Sequence, residues 1–335
     1  MSAVNNPKVA VVASTQAQAA ALAIAVRSHG YELLATVITD KMSGLEYVSA
    51  DVWLADLPED DEKTLNVLLD LGIPILFGIE AAPALNTPLF NLWQRRVYTK
   101  LRDTVGEPQV DPGLDALAAA EPPPESLPLP VELMADSGDS LYVCVLAASL
   151  GGPAAVKEFL DQLPAGLPVA FVLAQHIDGR MLEILPQVLG RHNEFTLKIA
   201  KAGDMPAIGQ ILIAPVHEEI DFAPDGHVIA LGRPWDGPYA PSMDQMLANV
   251  SRRFGHRAMA VIFSGMGADG SVSGPQMVKT GGVIFAQTSD SCACSSQPDA
   301  MRATACVLAS GTPTELASLL VDQLRSVRQH QENVA

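Results

Sequence analysis

Basic residues are scarce in this chain of 335 residues: 21 Lys and Arg stand against 38 Asp and Glu, a formal net charge of −17. A surface of that sign repels phosphates, which argues against nucleic acid or an anionic membrane as a partner. The one dense basic cluster, Arg95, Arg96, Lys100 and Arg102, reads as a solvated helix end or loop. Cysteine is equally sparse, with Cys144, Cys292, Cys294 and Cys306 fitting reduced thiols better than a disulfide framework. Cys292 and Cys294 have no second Cys or His pair after them, so they make no recognisable zinc arrangement. No run approaches the roughly 18 uninterrupted apolar residues of a membrane span. The start MSAVNNPKVAVVAS lacks the basic opening and cleavage pattern of a signal peptide, and a cytoplasmic protein without membrane insertion is expected.

Hydrophobic residues make up 48% of the chain, enough for two cores in a chain of this length. From Lys8 onward strand-like and helix-like runs alternate. VAVVAS leads to an alanine-rich helix over about 16–29, then LLATVI, a helix near 41–49, DVWLADL, a helix near 62–71 and the strand IPILFGI. This rhythm predicts a parallel sheet flanked by helices. Between about 106 and 140 it breaks at EPPPESLPLP, where proline denies helix hydrogen bonds and favours an extended arm. The expected fold class is therefore α/β: two doubly wound, mostly parallel α/β domains, 1–105 and 141–335, joined by a Pro-rich acidic linker over 106–140. Residues 1–140 carry 8 basic and 20 acidic groups, so the acidic surplus lies mainly in the first half.

The first domain resembles the receiver domain of two-component response regulators, with Asp56 ending the third strand and Lys100 near the place of the receiver's lysine. The match is incomplete. The first strand runs into Ala13, Ser14, Thr15 and Gln16 where receivers need two adjacent acids for magnesium, and Leu101 follows Lys100 in place of proline. A receiver-like domain that has lost phosphorylation is expected.

Beyond the linker, YVCVLAASLGGPAAV over 142–156 reads as a buried strand, a Gly-Gly-Pro turn and a helix, with Ser149 at the bend. A serine there projects from the carboxyl edge of a sheet, beside the free N–H groups of Leu150 and Gly151 at the helix start, which can hold an oxyanion. The alternation then resumes: a strand over 168–176, a helix near 181–189, QILIAP and VIAL as strands or a hairpin, a helix near 244–254 and AMAVIFSG. A helix near 272–280, the strand GVIFAQ and closing helices near 298–303 and 313–330 follow. His176 closes one strand and Asp269 follows another. In a parallel sheet such ends gather on one edge, so Ser149, His176 and Asp269 make a candidate nucleophile, general base and orienting carboxylate.

The segments AASLGGP, AQHI, IAP, PSMDQM and SGMGADG resemble the catalytic domain of the chemotaxis protein-glutamate methylesterase, CheB, from about Tyr142 to Leu320. The resemblance implies hydrolysis of glutamate γ-methyl esters on the cytoplasmic helices of methylated chemoreceptors, releasing methanol, and possible glutamine deamidation at the same sites. It implies no metal or organic cofactor, and it adds Met266 as a backbone oxyanion donor. In that family the receiver covers the site until phosphorylation moves it. With the receiver's acids lost, activity is expected to be either constitutive or governed by a chemosensory kinase or another regulator acting on the N-terminal domain. The chain departs from the pattern at Leu150, where threonine is usual, at IDGR over 177–180, and at SCACSSQP over 291–298. Two other readings stay open: a non-catalytic, receptor-binding chemosensory adaptor, and a general small-ester hydrolase, whose usual Ser, Asp, His order this chain lacks.

Overall fold

The computed structural model describes residues 7–29, 31–39, 48–58, 60–84, 88–106, 108, 117, 126–134, 141–177, 179, 181–237 and 239–334. The helix expected near 41–49 lies almost wholly outside these residues. The chain divides into two compact units: Met1–Val110 with Met266–Ala268, and Asp111–Gly265 with Asp269–Ala335.

In the first unit, strands β1 (Lys8–Ala13), β2 (Glu32–Ile38), β3 (Val52–Asp56) and β4 (Ile75–Leu76) form a parallel sheet in the order β2-β1-β3-β4. Alternate residues of β1 and β3, Ala10, Val12, Trp53 and Ala55, bury one face against Leu68 of helix α2 (Glu62–Asp70). Helix α1 (Gln16–Ser28) starts where the Thr15 hydroxyl accepts from Gln18 N–H, as an N-cap residue does. Two differences from the sequence reading stand out. The strand read over 73–79 shrinks to two residues, because Gly78 takes a positive φ of 71° that ends the ladder. The basic cluster lies on a helix that the reading missed, α3 (Pro88–Val105), whose buried Phe90, Trp93, Val97 and Leu101 recur at helical spacing. His29, just past α1, stacks on Tyr98 of α3 at 4.8 Å, and its burial pushes the imidazole from the ordinary 6.5 down to about 4.

Residues 126–134, read as part of a free arm, instead lie on the second unit. Leu127 N–H donates to Gln162 O, the short 3₁₀ turn Val131–Leu133 buries Leu133 in the second unit's core, and Leu127 and Leu129 pack beside it. Leu133 is buried and Leu127 and Leu129 partly so, and the prolines between them lessen the entropy lost on ordering the segment.

The second unit is built on seven parallel strands: β5 (Tyr142–Ala148), β6 (Val169–Gln175), β7 (Thr196–Ile199), β8 (Gln210–Ile213), β11 (Ala258–Ile262), β12 (Val283–Gln287) and β13 (Ala309–Gly311). Their order is β13-β12-β11-β5-β6-β8-β7. Strands β9 (Ile220–Phe222) and β10 (Val228–Ala230) form a separate antiparallel hairpin. The period-2 alternation of β5 divides its side chains between two cores. Tyr142, Cys144, Leu146 and Ala148 face the core that holds Phe159 and Leu160 of α4 (Gly152–Gln162), Leu185 of α5 (Leu185–Leu189) and the long C-terminal helix, Pro313–Val334. Val143, Val145 and Ala147 face Met246 and Leu247 of α6 (Met243–Phe254), Met277 of α7 (Gly274–Lys279) and Met301 of α8 (Ser296–Arg302). Helices on both faces of a parallel sheet match the expected fold class. The chain leaves β5 toward β6 on one side and later returns to β11 on the other, so β5 sits at a topological switch point, where α/β sheets bind ligands at the strands' carboxyl ends.

Candidate functional site

Three central strands, β11, β5 and β6, end side by side, and the candidate residues follow them. The ladder between β5 and its neighbours runs one residue past the strands: His176 N–H donates to Ala148 O at 2.9 Å, Ser149 N–H to Ser264 O at 3.1 Å, and Phe263 N–H to Ala147 O at 2.9 Å. Ser149 and His176 therefore leave neighbouring strands at the same level, following the paired residues Ala148 and Gln175. After Ser149 the chain turns sharply: Gly151 adopts φ 71°, Gly152 N–H closes the bend on Ser149 O at 2.9 Å, and Pro153 stands in the first turn of α4.

Glycine is required in this turn and again at Gly265, just past β11. A Cβ on Gly151 would lie 2.4 Å from Ala293 Cβ, and one on Gly265 would lie 2.1 Å from Gln297 Oε1 and 2.9 Å from Ser149 Cβ. The segment around Cys292 thus borders the Ser149 turn directly. Cys294 N–H donates to Ser264 Oγ, Gly265 N–H to Cys294 O, and Ser264 Oγ to Leu150 O. The four cysteines are free thiols; burial pushes the Cys292 thiol up to about 12, so it is a poor nucleophile.

Asp269 is almost wholly buried, yet its carboxylate is richly paired. Oδ2 accepts from His176 Nε2 at 3.1 Å and from Met243 N–H at 2.7 Å, and Oδ1 accepts from Asp244 N–H and Gly270 N–H, each at 3.1 Å. Met243 and Asp244 open α6, so the carboxylate meets the orphan donors and positive end of a helix. Asp244 in turn accepts from Val272 N–H and Ser273 N–H, tying the helix start to the loop beyond Asp269. With Nε2 on Asp269, Nδ1 is the ring nitrogen of His176 left to act on another group. The imidazole also lies flat on the Tyr239 ring, centroids 4.9 Å apart and planes 7° from parallel.

The structure brings Ser149, His176 and Asp269 to one sheet edge. Between Ser149 Oγ and the His176 ring there is no hydrogen bond among the described residues, an arrangement common before substrate tightens a site. The N–H groups of Leu150, Gly151 and Met266 have no acceptor among the described residues. Sequence reasoning did not assign roles to Gln175 or Tyr239. Gln175, 2% exposed, donates both protons of its amide, to Ser149 O and His176 O at 2.9 Å each, and so links the backbones of the two residues. Its place beside His176 was the available signal; Tyr239, in a Gly- and Pro-punctuated loop, offered none.

Residues 144–320 match the family model of the CheB methylesterase. The chain belongs to the CheB methylesterase family. Among curated relatives it is similar to "protein-glutamate methylesterase/protein-glutamine glutaminase 3" of Pseudomonas aeruginosa, 33% identical over 158 residues, 47% of either chain. It is likewise similar to "protein-glutamate methylesterase/protein-glutamine glutaminase 6" of Anaeromyxobacter dehalogenans, 32% identical over 193 residues, 56% of this chain and 55% of that one. The chain thus spans about half the length of these relatives. The solved CheB methylesterase catalytic domain of Thermotoga maritima aligns with 55% of this chain and 99% of its own, at TM-score 0.52 and 24% identity, which supports the α/β fold of the second unit.

Proposed function

We propose that this CheB-family chain hydrolyses glutamate γ-methyl esters on the helices of chemoreceptors, with Ser149 as nucleophile, His176 as base and Asp269 as orienting carboxylate. The observation that carries the reading is the His176–Asp269 hydrogen bond, held at the switch-point edge beside the serine that ends β5. Ser149 Oγ attacks the ester carbonyl while His176 Nδ1 takes its proton, and the imidazolium shares its Nε2 proton with the Asp269 carboxylate. The tetrahedral oxyanion falls to the N–H groups of Leu150 and Gly151. Collapse breaks the carbon–methoxy bond, His176 returns the proton, and methanol leaves. Water then repeats the sequence on the acyl-serine, again with His176 as base, and frees the glutamate. A glutamine side chain would follow the same course with ammonia as leaving group, as the relatives' glutaminase names suggest.

The first unit acts in this reading as a receiver-like domain without phosphoryl transfer. Ser14 Oγ donates to Asp56 Oδ2 at 3.3 Å, at the strand end where a receiver would supply a magnesium-binding acid, and Lys100 donates to the carbonyls of Phe77 and Gly78. Activity is then either constitutive or governed by a protein partner of that unit.

Methanol release from methylated receptor membranes tests the proposal, with the full chain set against Ser149→Ala. Release should fall by several orders of magnitude in the variant. No release from either protein would leave the receptor-binding adaptor standing; release from small esters alone would favour a general hydrolase.

A further inference from the structure

We propose that Tyr239 is a positioning residue for His176, holding the imidazole in the plane in which Nε2 meets Asp269 and Nδ1 is left for Ser149; this rests on the catalytic reading above. A hydrogen bond from Nε2 fixes one point of the ring and a line. It leaves the plane free to swing about that line. The Tyr239 ring supplies the missing constraint. At 4.9 Å between centroids and 7° between planes, the two rings are in offset parallel stacking, and a swing of the imidazole would drive it into the phenol or open a gap beside it.

The support is itself rigid. Tyr239 is 8% exposed, and the chain that carries it runs on through Ser242 into Met243 and Asp244, whose N–H groups hold the Asp269 carboxylate. The Ser242 hydroxyl fixes the start of the helix by accepting from Gln245 N–H. One continuous segment, 239–244, therefore sets both the plane of the base and the position of its carboxylate. The aromatic face also favours the imidazolium that forms as Ser149 loses its proton, an attraction absent from the neutral ground state.

The test compares wild type, Tyr239→Phe and Tyr239→Leu in the full chain. Its readouts are the nitrogen NMR shifts of His176, which report the tautomer, and kcat and KM for methanol release. In wild type and Tyr239→Phe the proton should sit on Nε2. In Tyr239→Leu the two tautomers should mix and kcat should fall ~10- to 100-fold with KM nearly unchanged. Tyr239→Met, whose flexible side chain fills the same space, carries the comparison where the leucine variant does not fold. Unchanged shifts and kcat in the leucine or methionine variant would overturn the proposal, as would a phenylalanine variant that loses as much as leucine. The NMR arm also separates this idea from the parent reading: a wild type that releases no methanol but keeps the Nε2 tautomer, lost on removing the ring, would refute the esterase and retain the positioning role.

Discussion

Each unit places a serine at the end of the strand where its sheet changes direction, and the two serines have opposite prospects. Ser14 follows β1, which lies between β2 and β3; Ser149 follows β5, which lies between β6 and β11. In the first unit the hydroxyl donates straight to Asp56. In the second an imidazole belongs to the same strand edge, and the carboxylate that serves it has its other lone pairs occupied by backbone N–H groups. A carboxylate is a far weaker base than imidazole, so a serine paired directly with aspartate keeps its proton. Equal topology therefore supplies equal placement, and the chemistry comes from the residue type at the neighbouring strand end and from what holds it.

The sharpest way to break this contrast is Asp269→Asn. The asparagine oxygen can still accept from the start of α6, which turns its NH₂ toward His176 Nε2 and forces the ring proton onto Nδ1, where it cannot accept from Ser149. A loss of about 10³- to 10⁴-fold in kcat is expected in the methanol assay. A loss under tenfold would show that the carboxylate is only a structural cap.

The first unit is where pH should act on stability. His29 is buried neutral with its proton affinity depressed to about 4 from 6.5, so its contribution to stability is complete above pH 6.5 and fades as the pH falls toward 4. One proton taken up on unfolding gives a slope of about 1.4 kcal/mol per pH unit, or about 2 kcal/mol between pH 6.5 and 5. His29→Gln should remove that much of the slope in urea unfolding, and a wild type without this acid sensitivity would contradict the burial argument. The smallest effect is reserved for Ser14→Ala: methanol release should stay at the wild-type rate, with a stability change of about 1 kcal/mol or less. A clear loss of release would mean that the first serine matters to the second.

The buried strands of the second unit were legible because β5, β6 and β11 are apolar runs that end abruptly at Ser149, His176 and SGMGADG. The short edge strands β7 and β13 were not, since three or four residues of mixed polarity carry no period. Helix α3 was not legible although Phe90, Trp93, Val97 and Leu101 mark a face, because the basic residues between them fit a solvated cluster equally well. Leu127, Leu129 and Leu133 had an apolar rhythm too, hidden by the prolines that separate them. At the site, Ser149, His176 and Asp269 could be read from strand ends. Tyr239 could not, for it reaches His176 only through the fold of an aperiodic loop.

The Asp269 carboxylate has one further consequence. Because Met243 N–H and Asp244 N–H share it with His176, the first turn of α6 cannot fray without loosening the partner of His176. In the proposed mechanism turnover is thereby coupled to a local opening equilibrium: an opening free energy of ~4 kcal/mol would leave about one molecule in a thousand idle at any moment, and each 1.4 kcal/mol lost would multiply that fraction by about ten. Warming should therefore silence the site while the rest of the sheet is still intact.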